Sequence, residues 1–287
     1  MAKIGIIIPA HNEERALAGC LRALAAQDYD GEVEVVVAAN GCTDDTAAVA
    51  RDSSPSMPTG WTVSVVEQEA AGKAAALNAA DAHLEAPLRV YLDADIVLDP
   101  SAIGELAAAL SLSGPYLAQP RLVPARTAKK AFAVSSFVRV WSSLPYVRNE
   151  VLGVGCYAVN AEGRALWGEF PHFGADDTFV RLRFGSDQKR VVKSATMTVF
   201  FPMSLTELVR VRARWCRLGR EVRQAEETLP ETERGRSLRA LAYLAKRPRL
   251  WVDGWIFSVI WVCAVLLSFA PGGASSWARA SSSPVRA

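Results

Sequence analysis

The sequence predicts an α/β fold with a mostly parallel central sheet and helices on both faces, followed by a C-terminal amphipathic helix and one hydrophobic membrane segment. Three observations predict it. Short β-branched runs alternate with Ala/Leu-rich stretches through the first two thirds of the 287 residues. Those runs are apolar at nearly every position, as strands buried on both faces must be. A polar motif follows or adjoins each run, and open sheets of this kind bind their ligands at the carboxyl ends of the strands.

Taken in order, strands are expected at "KIGIIIPA", "EVEVVVAA", "WTVSVVEQ" and "LRVYLDAD", the last running to Asp95. Helices are expected from Glu13 to Gln27, Thr43 to Asp52 and Gly72 to Leu84, and the Ser/Pro/Gly-rich "SSPSMPTG" reads as a connector. Beyond Pro100 come a helix, a strand at "YLAQPRLV" and a long helix around Ala128 to Ser143. A strand at "GVGCYAVN", a helix after "GADD" and a strand at "KRVVKSATMTVFF" follow. From Leu205, the apolar residues Leu208, Val211, Trp215, Leu218 and Val222 keep i+3/i+4 spacing while arginines fill the other faces, which predicts an amphipathic helix. The expected organisation is a catalytic domain over 1–226, a basic linker over 227–248, a transmembrane or membrane-anchoring helix over 249–271 and a disordered tail over 272–287.

Lys+Arg 32 against Asp+Glu 30 gives a net charge of +2, which argues against a nucleic-acid partner. The charge is unevenly spread: Thr206 to Leu250 holds twelve basic residues and six acidic ones. Five widely spaced cysteines, with no CxxC or Cys/His cluster, fit a reducing compartment and no zinc site. "MAKIGIIIPAHNEE" lacks the long apolar run of a signal peptide. Leu250 to Ala270 carries a single charge, Asp253, and as a helix would extend about 31 Å, a match to the bilayer core. Lys246, Arg247 and Arg249 precede it and only Arg279 and Arg286 follow, so the charge bias places the catalytic domain on the cytoplasmic face of the inner membrane.

The chemistry sits in four motifs. "PAHNEE" puts His11 and Glu13 after a rigid Pro9, although acids at a helix start also complement its dipole by ~0.3–1 kcal/mol. "NGCTDDT" offers Thr43 or Asp44 as a helix cap. "GKAAALN" offers Lys73 and Asn78. In "LDAD", residues two apart on a strand share a side, so Asp93 and Asp95 converge if the strand persists, and two like charges so placed need a cation between them. Oxygen-only ligands suit Mg²⁺ or Mn²⁺ bound together with a substrate diphosphate.

These motifs in this order, with "GVGCYAVN", "GADDTFVRLRF" and "RARWCRLGRE" downstream, resemble the inverting family-2 glycosyltransferases of GT-A fold over roughly Lys3 to Glu221. The resemblance implies sugar transfer from a nucleotide-sugar donor, UDP being the first expectation with GDP and TDP open. It implies that Pro9, His11 and Glu13 line the nucleotide pocket with Lys73 beside it, that Asp93 contacts donor, and that Asp95 with Asp93 holds Mg²⁺ or Mn²⁺. Aligned with the family's acidic pair, Asp177 is the base that takes the acceptor proton and Asp176 its neighbour, while Arg214 and Trp215 belong to the late Arg/Trp motif. Ala39 and Asn40 replace the acidic residues that many relatives carry before Gly41, which removes the carboxylate the resemblance implies against a uracil ring, and Asn40 is counted with the substrate-binding residues. A membrane-held enzyme implies a lipid-linked or polysaccharide acceptor. The alternatives are a sugar-phosphate nucleotidylyltransferase, which calls for a Gly-rich loop that "PAHNEE" lacks, and a catalytically silent membrane-bound adaptor.

Overall fold

The computed structural model describes residues 1–69, 72–126, 130–172, 174–225 and 236–270. The expected tail over 272–287 and the start of the expected linker, 227–235, lie outside the described residues. In chain order the elements are β1 (Ile4–Ala10), α1 (Glu14–Ala25), β2 (Val33–Asn40), α2 (Thr46–Asp52), β3 (Trp61–Gln68), α3 (Lys73–Asp81) and β4 (Leu88–Leu92). Then come β5 (Val97–Leu98), α4 (Ala102–Ala109), β6 (Leu117–Pro124), α5 (Phe132–Ser143), α6 (Pro145–Asn149) and β7 (Cys156–Val159). The last are α7 (Ala161–Arg164), α8 (Asp176–Leu182), β8 (Lys189–Val199), α9 (Leu205–Ala225), α10 (Arg236–Ala245) and α11 (Trp251–Leu267).

The chain divides into two compact units, the first formed by Met1–Val123 with Val151–Val199 and the second by Pro124–Glu150 with the described residues after Phe200. In the first, eight strands run in the order β3-β2-β1-β4-β7-β6-β8-β5. The β3-β2-β1-β4 half is parallel, and every residue of β1 is buried. α3 packs on β1 and β2, with Ala76, Leu77 and Ala80 fully buried, so truncating Leu77 to Ala would cost about 2–5 kcal/mol. β7 joins antiparallel to β4, with Leu92 opposite Cys156, and pairs antiparallel with β6. Successive connections carry the chain from β1 outward to β3, then back past β1 to β4. The strand order therefore reverses between β1 and β4, and their carboxyl ends form the crevice in which a doubly wound sheet binds ligand.

In the second unit, α11 packs against α5 and α9. Phe137 of α5 stacks on Phe257 of α11 with ring centroids 4.9 Å apart. The helix Pro248–Leu267 is long and apolar enough to cross a membrane by length and composition.

The parallel strands follow the apolar pattern closely, β3 spanning the expected residues and β1 and β2 starting one residue later. β4 differs: it stops at Leu92, three residues before the expected end. The Asp93 N–H donates to Gly155 O at 2.8 Å and the Ile96 N–H returns to Asp93 O at 3.1 Å, so Asp93–Ile96 is a turn rather than strand. The helix expected from Ala128 begins at Phe132, and 128 and 129 lie outside the described residues. α6, α7, α10 and the two-residue β5 are additional to the expected elements; α10 falls within the stretch expected as linker.

Candidate active site

The edge where β1, β2 and β4 end carries two clusters of polar side chains. The first joins the ends of β1 and β2. His11 Nδ1 lies 2.7 Å from the Asn40 carbonyl oxygen. Asn12, with φ of 52°, turns its Oδ1 to accept from the Thr43 N–H at 2.8 Å. Asp44 accepts from the Thr46 hydroxyl at 2.5 Å, the Thr46 N–H at 3.1 Å and the Glu14 N–H at 3.2 Å. One carboxylate thus ties the start of α1 to the start of α2. Burial pushes Asp44 up, but the hydrogen bonds from Thr46 and the backbone outweigh it and hold the group below its ordinary value. Asn40, 2% exposed, donates its amide to the Gly72 carbonyl at 2.7 Å and so fixes the residue immediately before Lys73.

The second cluster joins β4, α3 and α8. Lys73 Nζ lies 2.9 Å from Asp93 Oδ1 and 2.7 Å from Asp176 Oδ1, one cation between two carboxylates from distant parts of the chain. The other Asp176 oxygen accepts from the Tyr157 hydroxyl at 3.0 Å. Tyr157 stacks on Tyr91 with centroids 4.9 Å apart, and Tyr91 donates to Asp81 at 3.0 Å. Asp81 in turn is paired with Arg89 and Arg164. A continuous buried network therefore runs beneath the site from Asp81 to Asp176. Asn78 clamps the loop ahead of α8, accepting from the Phe170 N–H at 2.7 Å and donating to its carbonyl at 3.0 Å.

Asp177 stands beside Asp176 in the first turn of α8. Burial, and after it the neighbouring Asp176 charge, pushes its carboxyl up to about 6, against the opposing pull of Lys73, Arg181 and the Thr178 N–H. The backbone allows this crowding because Gly153 faces it: Gly153 has φ of +80°, and a Cβ there would lie 2.8 Å from the Asp177 Cβ. Gly155, at φ of +76°, likewise leaves no room for a Cβ against Ile96. Gln119 of β6, almost wholly buried, holds this glycine loop by accepting from the Leu152 and Gly153 N–H groups at 2.9 and 2.6 Å.

The buried Cys20 thiol lies 4.0 Å from the Asp93 carbonyl oxygen. Burial raises Cys20 well above its ordinary range, and the charges of Asp95, Glu13 and Asp93 add to it. Among the described residues no group of three or more His, Cys, Asp or Glu side chains is placed to hold a metal ion by itself. Asp93 and Asp95 do offer the oxygen-only donor set that Mg²⁺ or Mn²⁺ prefers, with the rest of the shell supplied by water and phosphate oxygens. The residues fit such an ion on that chemistry.

Of the residues singled out from sequence, the first unit thus gathers Pro9, His11, Glu13, Asn40, Lys73, Asp93, Asp95, Asp176 and Asp177 around adjoining strand ends and the α8 start. Arg214 and Trp215 stand on α9 in the second unit, where the Arg212 guanidinium lies 5.0 Å over the Trp215 ring. Tyr157, Gln119 and Asp81 escaped the sequence reading. A Gln at an apolar position of "YLAQPRLV" was the available signal for Gln119; a Tyr in a strand reads as core.

A family model described as Glycosyl transferase family 2 matches residues 5–152. The undecaprenyl-phosphate 4-deoxy-4-formamido-L-arabinose transferase of Sodalis glossinidius (strain morsitans) is 31% identical over 106 residues, covering 36% of this chain and 32% of that protein. The matched stretch is thus about a third of that relative's length. Among solved structures, the mannosyltransferase PcManGT from Pyrobaculum calidifontis, in complex with GDP-Man and Mn²⁺, superposes with a TM-score of 0.58 at 20% identity over 96% of this chain and 77% of that one. The glucosyl-3-phosphoglycerate synthase of Mycobacterium tuberculosis, with Mn²⁺, UDP and phosphoglyceric acid, gives 0.54 at 21% identity over 77% and 78%. S. aureus TarS 1–349 in complex with UDP gives 0.52 at 15% over 90% and 89%. At these identities the likeness is one of fold, and the fold is GT-A.

Proposed function

The chain belongs to glycosyl transferase family 2, and we propose that it catalyses inverting transfer of a sugar from a nucleotide-sugar donor to a hydroxyl of a lipid-linked or polysaccharide acceptor at the cytoplasmic membrane face. The observation that carries this reading is the pairing of Lys73 with both Asp93 and Asp176. It links the strand end where a nucleotide diphosphate would sit to the helix start where an acceptor proton would be removed.

The acceptor hydroxyl oxygen attacks the anomeric carbon from the face opposite the diphosphate. A bond from that oxygen to C1 forms, the bond from C1 to the diphosphate oxygen breaks with its electron pair leaving on the diphosphate, and the hydroxyl proton passes to Asp177. A free carboxylate is a weak base at neutral pH; raised to about 6, Asp177 is still ionised at pH 7 yet binds the proton far better. Asp176 is held beside it by Lys73 and Tyr157, and the Asp176 charge is one of the influences that raise Asp177. Lys73 places positive charge at the donor side, where negative charge grows on the leaving group. Asp95 and Asp93 would hold Mg²⁺ or Mn²⁺, which supplies further positive charge for the departing diphosphate. Pro9, His11 and Glu13 would line the nucleotide, Asn40 would act on it both directly and by setting the Gly72–Lys73 step, and Arg214 with Trp215 would meet donor phosphate or acceptor.

The nucleotide is the least constrained part, since Ala39 and Asn40 leave no carboxylate at the end of β2. UDP-, GDP- and TDP-sugars should therefore be compared by thermal shift with and without Mn²⁺. One nucleotide class is expected to stabilise the protein only with Mn²⁺, and Asp95→Ala is expected to erase the Mn²⁺-dependent part and lower turnover by ~100-fold or more. Stabilisation by none of them, with or without metal, would overturn the donor assignment.

A further inference from the structure

α11 has no polar face. The side that meets α5 and α9 consists of Gly254, Phe257, Ile260 and Ala264, all buried and spaced three or four residues apart. Half a turn away, Val252, Trp255, Val259, Val262 and Leu266 form a second stripe with the same spacing, and all five are exposed, Trp255 at 70%. An apolar face of that extent on a folded unit is a docking surface.

Both ends of α11 are fastened to the helices beneath it. Near the start, Arg139 of α5 donates Nε and Nη2 to the Asp253 carboxylate at 2.9 and 2.8 Å. Just past the end, Arg220 of α9 donates to Ser268 Oγ at 2.6 Å and to the Ser268 carbonyl at 2.7 Å, and its guanidinium lies 4.1 Å over the Phe269 ring. A helix fastened at both ends moves with its supports. If α11 crossed a bilayer, α9 would lie alongside it at the same depth with six arginines between Arg210 and Arg223, where charged side chains are rare and costly. Resting flat, α11 would put its free stripe into the acyl boundary and leave α5 and α9 on the water side. The flanking chemistry matches an anionic surface: Lys246, Arg247 and Arg249 are exposed immediately before the helix, and Trp251 and Trp255 are side chains that favour the headgroup level.

We propose that α11 lies in the plane of an anionic phospholipid bilayer, docked through the Val252–Leu266 stripe, instead of spanning it. This rests on the membrane association proposed above and replaces the expected anchor with an interfacial one.

Depth measurement on the full-length chain tests it. Cys42, Cys216 and Cys263 are replaced by Ser, and a fluorophore is attached in turn at Val252→Cys, Val259→Cys and Leu266→Cys. Vesicles of phosphatidylcholine and phosphatidylglycerol carry nitroxide quenchers at graded acyl depths. All three labels are expected at one shallow depth. Trp255→Glu is expected to weaken vesicle binding by about tenfold or more, and phosphatidylcholine alone to weaken it several-fold. A Val259 label at mid-bilayer, with Val252 and Leu266 near opposite surfaces, would overturn the in-plane placement and leave membrane association standing. Absence of binding to either vesicle would overturn both, and a concentration-dependent dimer abolished by Trp255→Glu would assign the stripe to a second copy of the chain.

Discussion

Asp44 and Asp177 stand in or just before the first turn of a helix in the same unit, and their surroundings drive them in opposite directions. The oxygens of Asp44 take hydrogen bonds from Thr46 and the Glu14 backbone, which hold the carboxyl below its ordinary value. Burial, and after it the charge of Asp176, pushes Asp177 up to about 6. Without the resemblance, sequence position gives each a structural role at a helix start, Asp44 as a cap and Asp177 as an acid that complements the dipole. What separates them is whether donors outweigh burial. At Asp44 the hydrogen bonds from Thr46 and the backbone do, and the acid is part of the frame; at Asp177 the Thr178 N–H at 2.6 Å does not, and the acid is poised to accept a proton.

The largest break in that comparison comes from Asp177→Asn, which keeps size and shape and removes the base. Turnover, followed by released nucleoside diphosphate, is expected to fall by ~100-fold or more, against a few-fold at most for Asp44→Ala. Stability should move the other way. The native state binds protons more tightly at Asp177 than the unfolded chain does, since the carboxyl rises from 3.8 to about 6. Wild type therefore loses stability as pH climbs from the unfolded value through the folded one, and the Asn variant does not. The melting temperature of the variant should gain on wild type across that window. A constant difference would show that the protein does not raise Asp177.

Lys73→Met sharpens the comparison from the other side. Lys73 lowers Asp177 by its charge and neutralises Asp93 and Asp176 at 2.9 and 2.7 Å. Without it the Asp177 carboxyl should rise further, and the acid limb of the kcat/KM profile should move to higher pH. A loss of about 10-fold is expected below neutrality and should narrow as pH rises. A uniform loss with an unmoved limb would make Lys73 a binding residue and remove its coupling to the base.

How much of this was legible in the sequence depends on how local its cause is. β1, β2 and β3 could be placed to within a residue because a strand buried on both faces writes itself as an unbroken apolar run. The end of β4 could not. "LDAD" continues the alternation, but after the bond from the Asp93 N–H to the Gly155 carbonyl the Ile96 N–H closes back onto the Asp93 carbonyl and turns the chain. Lys73 stands out at the head of its motif, but its two partners come from β4 and α8, and no spacing rule joins them. Asn40 is expected among the substrate-binding residues, and the bond from its amide to the Gly72 carbonyl is one that its place in "NGCTDDT" does not announce. Tyr157 and Gln119 act through hydrogen bonds to Asp176 and to the glycine loop. Such bonds are properties of the folded sheet, and the residue types alone read as core.

The smallest effect belongs to Asp44. Its three hydrogen bonds hold together the starts of α1 and α2, so Asp44→Ala is a loss of a helix cap and should cost about 0.5–2 kcal/mol at neutral pH, read from denaturant unfolding. The pH dependence is the mirror of that at Asp177. A carboxyl held below its ordinary 3.8 contributes stability that is fully present above that value and is lost as pH falls through the folded one. The gap between wild type and Asp44→Ala should therefore be constant through neutrality and shrink only below the ordinary 3.8, where the Asp177→Asn gap has already closed. If both gaps closed over the same pH range, donor access would not be what distinguishes the two acids, and the division between frame and base at this sheet edge would fail.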